Sequence, residues 1–284
     1  MPCTTRFAPS PTGYLHLGHA HSALAGWRRA RDSGGRFLLR LEDIDPGRCR
    51  AEFADAIIED LRWLGIDWDG PVRVQSRHMA EYRAVLDDLS ARGLLYPCFC
   101  TRADIAQSVA APHGPDGAPI YPGTCRHLPA QVRGARIAAC VPHALRLDVA
   151  KAFEMTVDLW FSEEGEGEIR CDPLAFGDVV LARKDAPASY HLCVAHDDAL
   201  QGVTLVTRGV DLKPATAIQR LLQALMGWPA PVYAHHLLLT DPAGKRFSKR
   251  DSAISLRDLR LKGCAPEQVL AMAEDGRLAN CERR

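Results

Sequence analysis

Residues 6–19 read Arg-Phe-Ala-Pro-Ser-Pro-Thr-Gly-Tyr-Leu-His-Leu-Gly-His. Thr4 to Phe7, at the head of this stretch, suits a strand. Ala20 to Arg31, behind it, sets Leu24 and Trp27 on one helical face and Arg28, Arg29 and Arg31 on another. Strand, tight turn and helix is therefore the expected order. Pro9, Pro11 and Gly13 hold the turn outside regular structure, and Gly18 removes a side chain where a flat ligand or a phosphate would approach the backbone. The first helical amides and the helix dipole favour an anion at that opening. His16 and His19 add donors that can follow charge as it builds on a phosphate.

A second charged segment lies far downstream. Gly244-Lys245-Arg246-Phe247-Ser248-Lys249-Arg250 follows the apolar stretch from His236 to Thr240 and the turn Asp241-Pro242-Ala243. Such a composition reads as a mobile loop whose lysine reaches the β and γ phosphates of ATP as a point charge.

Cys98-Phe99-Cys100 and Tyr121-Pro122-Gly123-Thr124-Cys125 bring three thiols and a phenol into a segment rich in proline and glycine. Three cysteines suit zinc, with one more ligand to complete a tetrahedron. Tyr121, His113 and His127 are the candidates for it. Local charge logic favours a histidine, because a tyrosine must lose a proton of pKa about 10. The remaining cysteines, at 3, 49, 140, 171, 193, 264 and 281, show no disulfide-framework spacing and read as reduced thiols.

With 47% hydrophobic and 25% charged residues among 284, the chain can bury a sizeable core, as one large domain with an insertion or as two. Its 35 basic and 35 acidic residues exclude a uniformly basic surface for RNA. Local patches would have to serve: Arg28, Arg29 and Arg31; Arg246 to Arg250; Arg257, Arg260 and Lys262. There is no apolar signal region and no stretch near the ~20 residues needed to span a bilayer, so a soluble, cytoplasmic protein is expected. Asp55 to Leu64, Met79 to Arg92 and Pro214 to Met226 read as helices. Phe37 to Leu41, Val203 to Val206 and Val232 to Leu239 read as strands, and Ile137 to Trp160 as mostly strands and turns. The alternation predicts an α/β fold, a Rossmann-like doubly wound parallel sheet interrupted by a smaller domain.

His16-Leu17-Gly18-His19 and Arg246-Phe247-Ser248-Lys249-Arg250, in that order, resemble the two signatures of the class I aminoacyl-tRNA synthetases of the glutamyl group. These are commonly His-Ile-Gly-His and Lys-Leu-Ser-Lys-Arg, so Arg246 and Phe247 depart from the second while its Ser-Lys pair stays intact. Leu41-Glu42-Asp43-Ile44-Asp45, Ser189-Tyr190-His191-Leu192, Asp197 to Val203 and Thr207 to Asp211 extend the similarity over nearly the whole chain.

The resemblance implies a catalytic core with an inserted, smaller, zinc-containing domain similar to an acceptor-binding domain. The expected boundaries are residues 1–93 and 186–250 for the two halves of the core, 94–185 for the insertion and 251–284 for a short helical end. It implies ATP contacts at Thr12, His16, Gly18, His19, Ser248 and Lys249, with His16, His19 and Lys249 catalytic and Mg²⁺ on the phosphates. A glutamate pocket would comprise Arg6 for the side-chain carboxylate, Glu42 for the ammonium, and Ala8, Ser10, Tyr190 and Arg208. Many relatives have Asn four residues after that tyrosine, where this chain has Val194. For the metal, the group's Cys-x-Cys…Tyr-x-x-x-Cys pattern implies zinc on Cys98, Cys100, Tyr121 and Cys125.

Only residues 251–284 follow Arg250, in place of the long helical anticodon-reading region of full synthetases. That shortness is similar to a branch of the group that activates glutamate with ATP and esterifies it to queuosine in the anticodon of tRNA(Asp). The implied partners are that tRNA, L-glutamate and ATP, and the implied state is a monomer. A compact synthetase charging tRNA(Glu) and a catalytically silent RNA- or amino-acid-binding paralogue are the two other readings.

Overall fold

The computed structural model describes residues 1–107, 114–239 and 254–275. In chain order it contains β1 (Thr4–Phe7), α1 (Leu17–Asp32), β2 (Arg36–Leu41), α2 (Ala51–Trp63), β3 (Arg73–Val74), α3 (Met79–Ala91), β4 (Leu95–Cys98), α4 (Arg102–Gln107) and α5 (Ala130–Ala138). Then come β5 (Ala144–Leu147), α6 (Val149–Glu154), β6 (Trp160–Glu163), β7 (Gly167–Arg170), β8 (Val180–Ala182), α7 (Tyr190–Leu200), β9 (Leu205–Gly209), α8 (Thr216–Met226), β10 (Val232–His236), α9 (Leu256–Leu261) and α10 (Pro266–Asp275). These fall into two compact units. One comprises Met1–Ser76, Gly202–Asp211 and the described residues of Pro231–Arg284; the other comprises Arg77–Gln201 and Leu212–Ala230.

The first unit is built on parallel strands. β1 pairs with β2 from Thr4↔Arg36 to Phe7↔Leu39, β2 continues to β3, and β9 pairs with β10 from Leu205↔Val232 to Gly209↔His236. β1 and β9 lie side by side: Thr204 N donates to Thr4 O and Thr4 N to Thr204 Oγ1, both at 2.9 Å. Strand alternation sends Phe7, Phe37, Leu39 and Leu41 into one core, where they meet Leu17 and Ala20 of α1, Ile57 and Leu61 of α2, Leu256 and Leu259 of α9, and Val269 and Met272 of α10.

The expected strand–turn–helix start is present, but α1 begins at Leu17, three residues before the amphipathic pattern at Ala20. Its buried face is made largely of small residues, Ala20, Ala23, Gly26 and Ala30, beside Leu17 and Leu24. The reason is a close approach to the strands. Thr5 Oγ1 donates to Gly26 O at 2.9 Å, and a Cβ at Gly26 would stand 2.8 Å from Thr207 Oγ1 and 3.2 Å from the Phe37 ring. Trp27 is only half-buried, its indole N–H donating to Asp67 Oδ1 at 2.7 Å.

In the second unit β4, β5 and β8 form an antiparallel sheet in that order, and β6 and β7 form a hairpin. Asp178 ties the sheet together. Its buried carboxylate accepts from the Tyr96 hydroxyl and from Val149 N at 3.1 Å, while its backbone oxygen accepts from Arg146 Nη1 at 2.7 Å. Helices α7 and α8 pack on each other, and α3 on α7. The buried Tyr82 hydroxyl of α3 donates to Asp197 Oδ2 of α7 at 2.9 Å. The stretch read as strands and turns, Ile137 to Trp160, instead contains the end of α5, the strand β5 and the helix α6, which Asp148 caps by accepting from Lys151 N at 3.1 Å. The strand expected at Val203 to Val206 is shifted to Leu205–Gly209.

A carboxylate is buried in the first unit. Asp60 of α2 has no exposed surface, and neither carboxylate oxygen has a hydrogen-bond partner among the described residues; Arg260 Nη2 lies 3.6 Å from Oδ1. Burial outweighs the guanidinium and pushes the carboxyl from 3.8 up to about 6. A folded pKa above the unfolded one means that the proton favours the folded chain, so stability from this group is present at low pH and is lost as pH rises through about 6. Asp60→Asn should therefore be at least as stable as the parent protein at neutral pH, with a gap that closes as pH falls from about 6 to about 4. Urea unfolding across that range checks it, and a gap independent of pH would contradict the assignment.

Candidate active site and metal centre

His16 is the N-cap of α1, in extended backbone at φ −127° and ψ 176°. Its Nδ1 accepts from Gly18 N at 3.1 Å, and His19 Nδ1 accepts from His16 N at 3.1 Å, a reciprocal capping box made of two imidazoles. The rings lie 3.9 Å apart between centroids. A ring nitrogen that accepts from an amide carries no proton, so both neutral rings keep theirs on Nε2 and present it as a donor. This corrects one expectation. Gly18 N and His19 N are bonded to His16, at Nδ1 and at O, so they are not free for an anion. A Cβ at Gly18 would also stand 3.0 Å from His16 Cε1.

The turn is held from several sides. Glu42 N donates to Pro9 O at 3.1 Å, Arg50 N to Pro11 O at 3.0 Å and Leu256 N to Leu15 O at 2.8 Å. Residue 16 forms an antiparallel bridge with Ser255, the N-cap of α9. Ser248 and Lys249 lie outside the described residues, but the chain that follows them is thereby joined to the histidine turn. Ser255 was not singled out in the sequence, where nothing marks it beyond a capping serine before Leu256 and Asp258.

Of the expected glutamate pocket, Arg6, Ala8, Ser10, Glu42 and Arg208 belong to the first unit, at or just beyond the carboxyl ends of β1, β2 and β9. Arg6 and Arg208 are buried, 5% and 6% exposed, and Arg6 Nη1 donates to Thr207 O at 3.3 Å. Arg208 Nε donates to His235 Nε2 at 3.1 Å, and its guanidinium lies 5.3 Å from the Tyr233 ring centroid. His235 and Tyr233 were missed in the sequence; their signal was the two-residue spacing that puts both on one face of β10. Thr12 sits in the turn, its N–H donating to Ser10 O at 2.8 Å. Tyr190 begins α7 in the second unit, half-buried against His191, and Val194 one turn later is buried.

The cysteine cluster assembles in the second unit. The sulfurs of Cys98, Cys100 and Cys125 all lie within 4.8 Å of one another. Cys100 Sγ is 3.5 Å from Cys125 Sγ and 3.6 Å from the Tyr121 hydroxyl, which accepts from Cys125 N at 2.8 Å. His127 is exposed and outside this group, and His113 lies outside the described residues. Burial, then hydrogen bonding to the thiols, pushes the Tyr121 phenol up, and burial pushes Cys100 up to about 11. Burial also acts against the Cys125 thiolate, but donors from Tyr121 and Phe99 N–H bring that thiol below its ordinary value. Cys3, Cys49, Cys140, Cys171 and Cys193 are free thiols as expected, whereas Cys264 is disulfide-bonded.

Several cations named as RNA patches have partners within the chain. Arg31 pairs with Asp69 at 2.8 Å and Asp67 at 3.1 Å, Arg28 with Glu274, and Arg260 with Glu59 at 2.9 Å. Arg257 donates to the Tyr14 hydroxyl and stacks on its ring. Among the described residues no helix is long and apolar enough to cross a membrane.

Residues 2–274 match the family model described as tRNA synthetases class I (E and Q), catalytic domain. The chain belongs to this family. Within it, a glutamyl-Q tRNA(Asp) synthetase of Rhodobacter capsulatus is 48% identical over 272 residues, covering 93% of this chain and 97% of the relative. A protein of the same name from Nocardia farcinica is 46% identical over 95% of this chain and 83% of its own length. Among solved structures, a glutamate–tRNA ligase from Elizabethkingia meningosepticum in complex with its amino acid superposes with a TM-score of 0.79 at 28% identity. The match covers 96% of this chain and 60% of that one. The synthetase fold accounts for the parallel strands.

Gly18→Ala places a methyl group against the His16 ring and should unseat the cap. The expected result is a loss of about 1 kcal/mol of stability, with the His16 and His19 Nδ1 resonances in long-range ¹H–¹⁵N spectra leaving their hydrogen-bonded acceptor positions. Unchanged imidazole resonances would contradict the capping role given to Gly18.

Proposed function

We propose that this synthetase activates L-glutamate with ATP and transfers it to the queuosine base in the anticodon of tRNA(Asp). Two buried guanidiniums on neighbouring strands, Arg6 and Arg208, beside the histidine-capped start of α1, support the first half most directly. Glutamate has two carboxylates and one ammonium, and arginine is the side chain that meets a carboxylate with a planar pair of donors. Arg6 would take the side-chain carboxylate, Glu42 the ammonium, and Arg208, Tyr190, Ala8 and Ser10 the rest of the substrate. The acceptor is supported by relatives at 46% and 48% identity that are named for it.

In the activation step a carboxylate oxygen of glutamate attacks the α-phosphorus of ATP, the bond to the bridging oxygen breaks, and pyrophosphate leaves with that electron pair. Thr12, Gly18, His19 and Ser248 border the nucleotide. His16 and His19 donate from Nε2 to phosphate oxygens whose charge grows in the transition state, and Lys249 adds a point charge. Mg²⁺ on the phosphates would supply further charge neutralisation. A hydroxyl of the acceptor then attacks the acyl carbon and expels AMP; no side chain is assigned as its proton acceptor.

The cysteine cluster fits zinc: three thiols and a phenol gather within the reach of one tetrahedral ion, and thiolates are its preferred ligands. Cys98, Cys100, Cys125 and Tyr121 would hold it, and it would cross-link a segment otherwise tied by few elements. Purified protein should contain about one zinc per chain, and Cys98→Ser should contain little. Zinc absent from both would sink the site.

The acceptor is tested by transfer of labelled glutamate, with ATP, to purified tRNA(Asp) with or without queuosine, beside tRNA(Glu). Label confined to queuosine-containing tRNA(Asp) is the expected outcome. Label on tRNA(Glu) would make the protein a compact charging synthetase, and no label at all would favour a binding paralogue.

A further inference from the structure

The histidine turn and the start of α9 are paired residue by residue. Residue 16 forms an antiparallel bridge with Ser255, Leu256 N donates to Leu15 O at 2.8 Å, and Arg257 Nη1 donates to the Tyr14 hydroxyl. Backbone and core make the first two links, since Leu15 and Leu256 are both buried. Side chains alone make the third. The Arg257 guanidinium carbon lies 4.9 Å from the centroid of the half-buried Tyr14 ring. Phe53 of α2 meets the same ring edge-on, at a centroid distance of 5.0 Å and an interplanar angle of 85°. Tyr14 is therefore held between α2 and α9.

The chain between β1 and residue 16 belongs to no helix or strand, so the backbone entering residue 16 is steadied by single contacts and not by a ladder. Residue 16 then carries the cap of α1, with its Nδ1 accepting from Gly18 N at 3.1 Å, and a shift of this backbone moves the imidazole with it. The turn that bears Arg257 is itself fixed by a capping box, in which Asp258 N donates to Ser255 Oγ at 3.0 Å and Ser255 N to Asp258 Oδ2 at 3.2 Å. We infer that Tyr14 and Arg257 are positioning residues for His16, a side-chain clamp that fixes the entry to residue 16 and so the direction of its ring. The inference rests on the reading that His16 acts at the phosphates of ATP. It gives Arg257, one of the cations suggested by sequence for an RNA patch, a role within the chain.

The test is a double-mutant cycle in ATP–pyrophosphate exchange, with L-glutamate and bulk tRNA present, on the full chain carrying Arg257→Ala, His16→Asn or both. Asparagine is a favoured capping residue, so His16→Asn keeps the helix start and removes the imidazole. Arg257→Ala should lower kcat about tenfold, less than the roughly hundredfold that a misplacement of about 1 Å can cost, with the glutamate KM unchanged. Added to His16→Asn, it should lower kcat further by less than about twofold, because a residue that acts through the ring has nothing left to position. The inference is overturned if Arg257→Ala leaves kcat unchanged. It is also overturned if the effect is equally large in both backgrounds, the result expected of a direct contact with RNA or of a general loss of stability. A His16→Asn protein as active as the parent removes the role of His16 at ATP and this inference with it, whereas a weakened His16→Asn beside an unaffected Arg257→Ala removes only the positioning. Should Arg257→Ala prove too unstable to assay, the same cycle is read with Tyr14→Phe, which keeps the ring against Phe53 and loses the hydroxyl. A kcat effect confined to the background with His16 supports the inference, and an equal effect in both overturns it.

Discussion

The first turn of α1 is closed by its own two histidines, and much of the first unit is arranged around that closure. An N-terminal turn leaves amides unsatisfied, and a serine or aspartate at the cap usually takes them. Here His16 and His19 take them reciprocally through Nδ1, which fixes the tautomer of both rings and leaves the proton of each on Nε2. A group already bound at one nitrogen needs little reorganisation to donate from the other, and that preorganisation is what stabilisation of a growing phosphate charge requires. The His16 ring stands where a Cβ on residue 18 would come within 3.0 Å of it, and the backbone at residue 16 also bridges Ser255.

The close approach of α1 to the strands is a second consequence of composition. Ala20, Ala23, Gly26 and Ala30 form a face with almost no side-chain depth, and Thr5 donates directly to the helix backbone at Gly26. The carboxyl ends of β1, β2 and β9 then meet on one edge, where Arg6, Glu42 and Arg208 stand on or directly after a strand. Charged groups that must meet a small, polyvalent ligand are held more accurately there than on a loop.

The strand–turn–helix start was legible because each part has a local cause: prolines that exclude regular structure, a β-compatible tetrapeptide, and an amphipathic repeat. The closeness of the His16 ring to Gly18, 3.0 Å from where a Cβ would stand, was not legible. Nor was the fate of the first amides, because histidine is not an expected capping residue. Between Ile137 and Trp160 the pattern suggested strands. The short α6, only six residues long, is set by one capping aspartate, Asp148, and its burial, and so has too few turns to show a period. Cys98, Cys100 and Cys125 were legible as a group from spacing, and their sulfurs do converge. The fourth ligand was implied only by the family pattern; the Tyr121 hydroxyl lies 3.6 Å from Cys100 Sγ, and His127 is exposed.

Arg208 shows why such contacts stay hidden in a sequence. Its partner His235 is 27 positions away, and the two meet only because β9 and β10 run parallel in one particular register. A slip of one residue would send His235 to the opposite face and set Arg208 against a different neighbour. Register therefore fixes this contact: the backbone ladder aligns an imidazole acceptor with a guanidinium donor, and the Tyr233 ring two residues earlier lies 5.3 Å from the guanidinium carbon. Arginine's value at such a site is its rigid planar fork, and a rigid fork is useful only when its rotation is also fixed. In this chain the strand next door restrains it through the bond from Arg208 Nε to His235 Nε2.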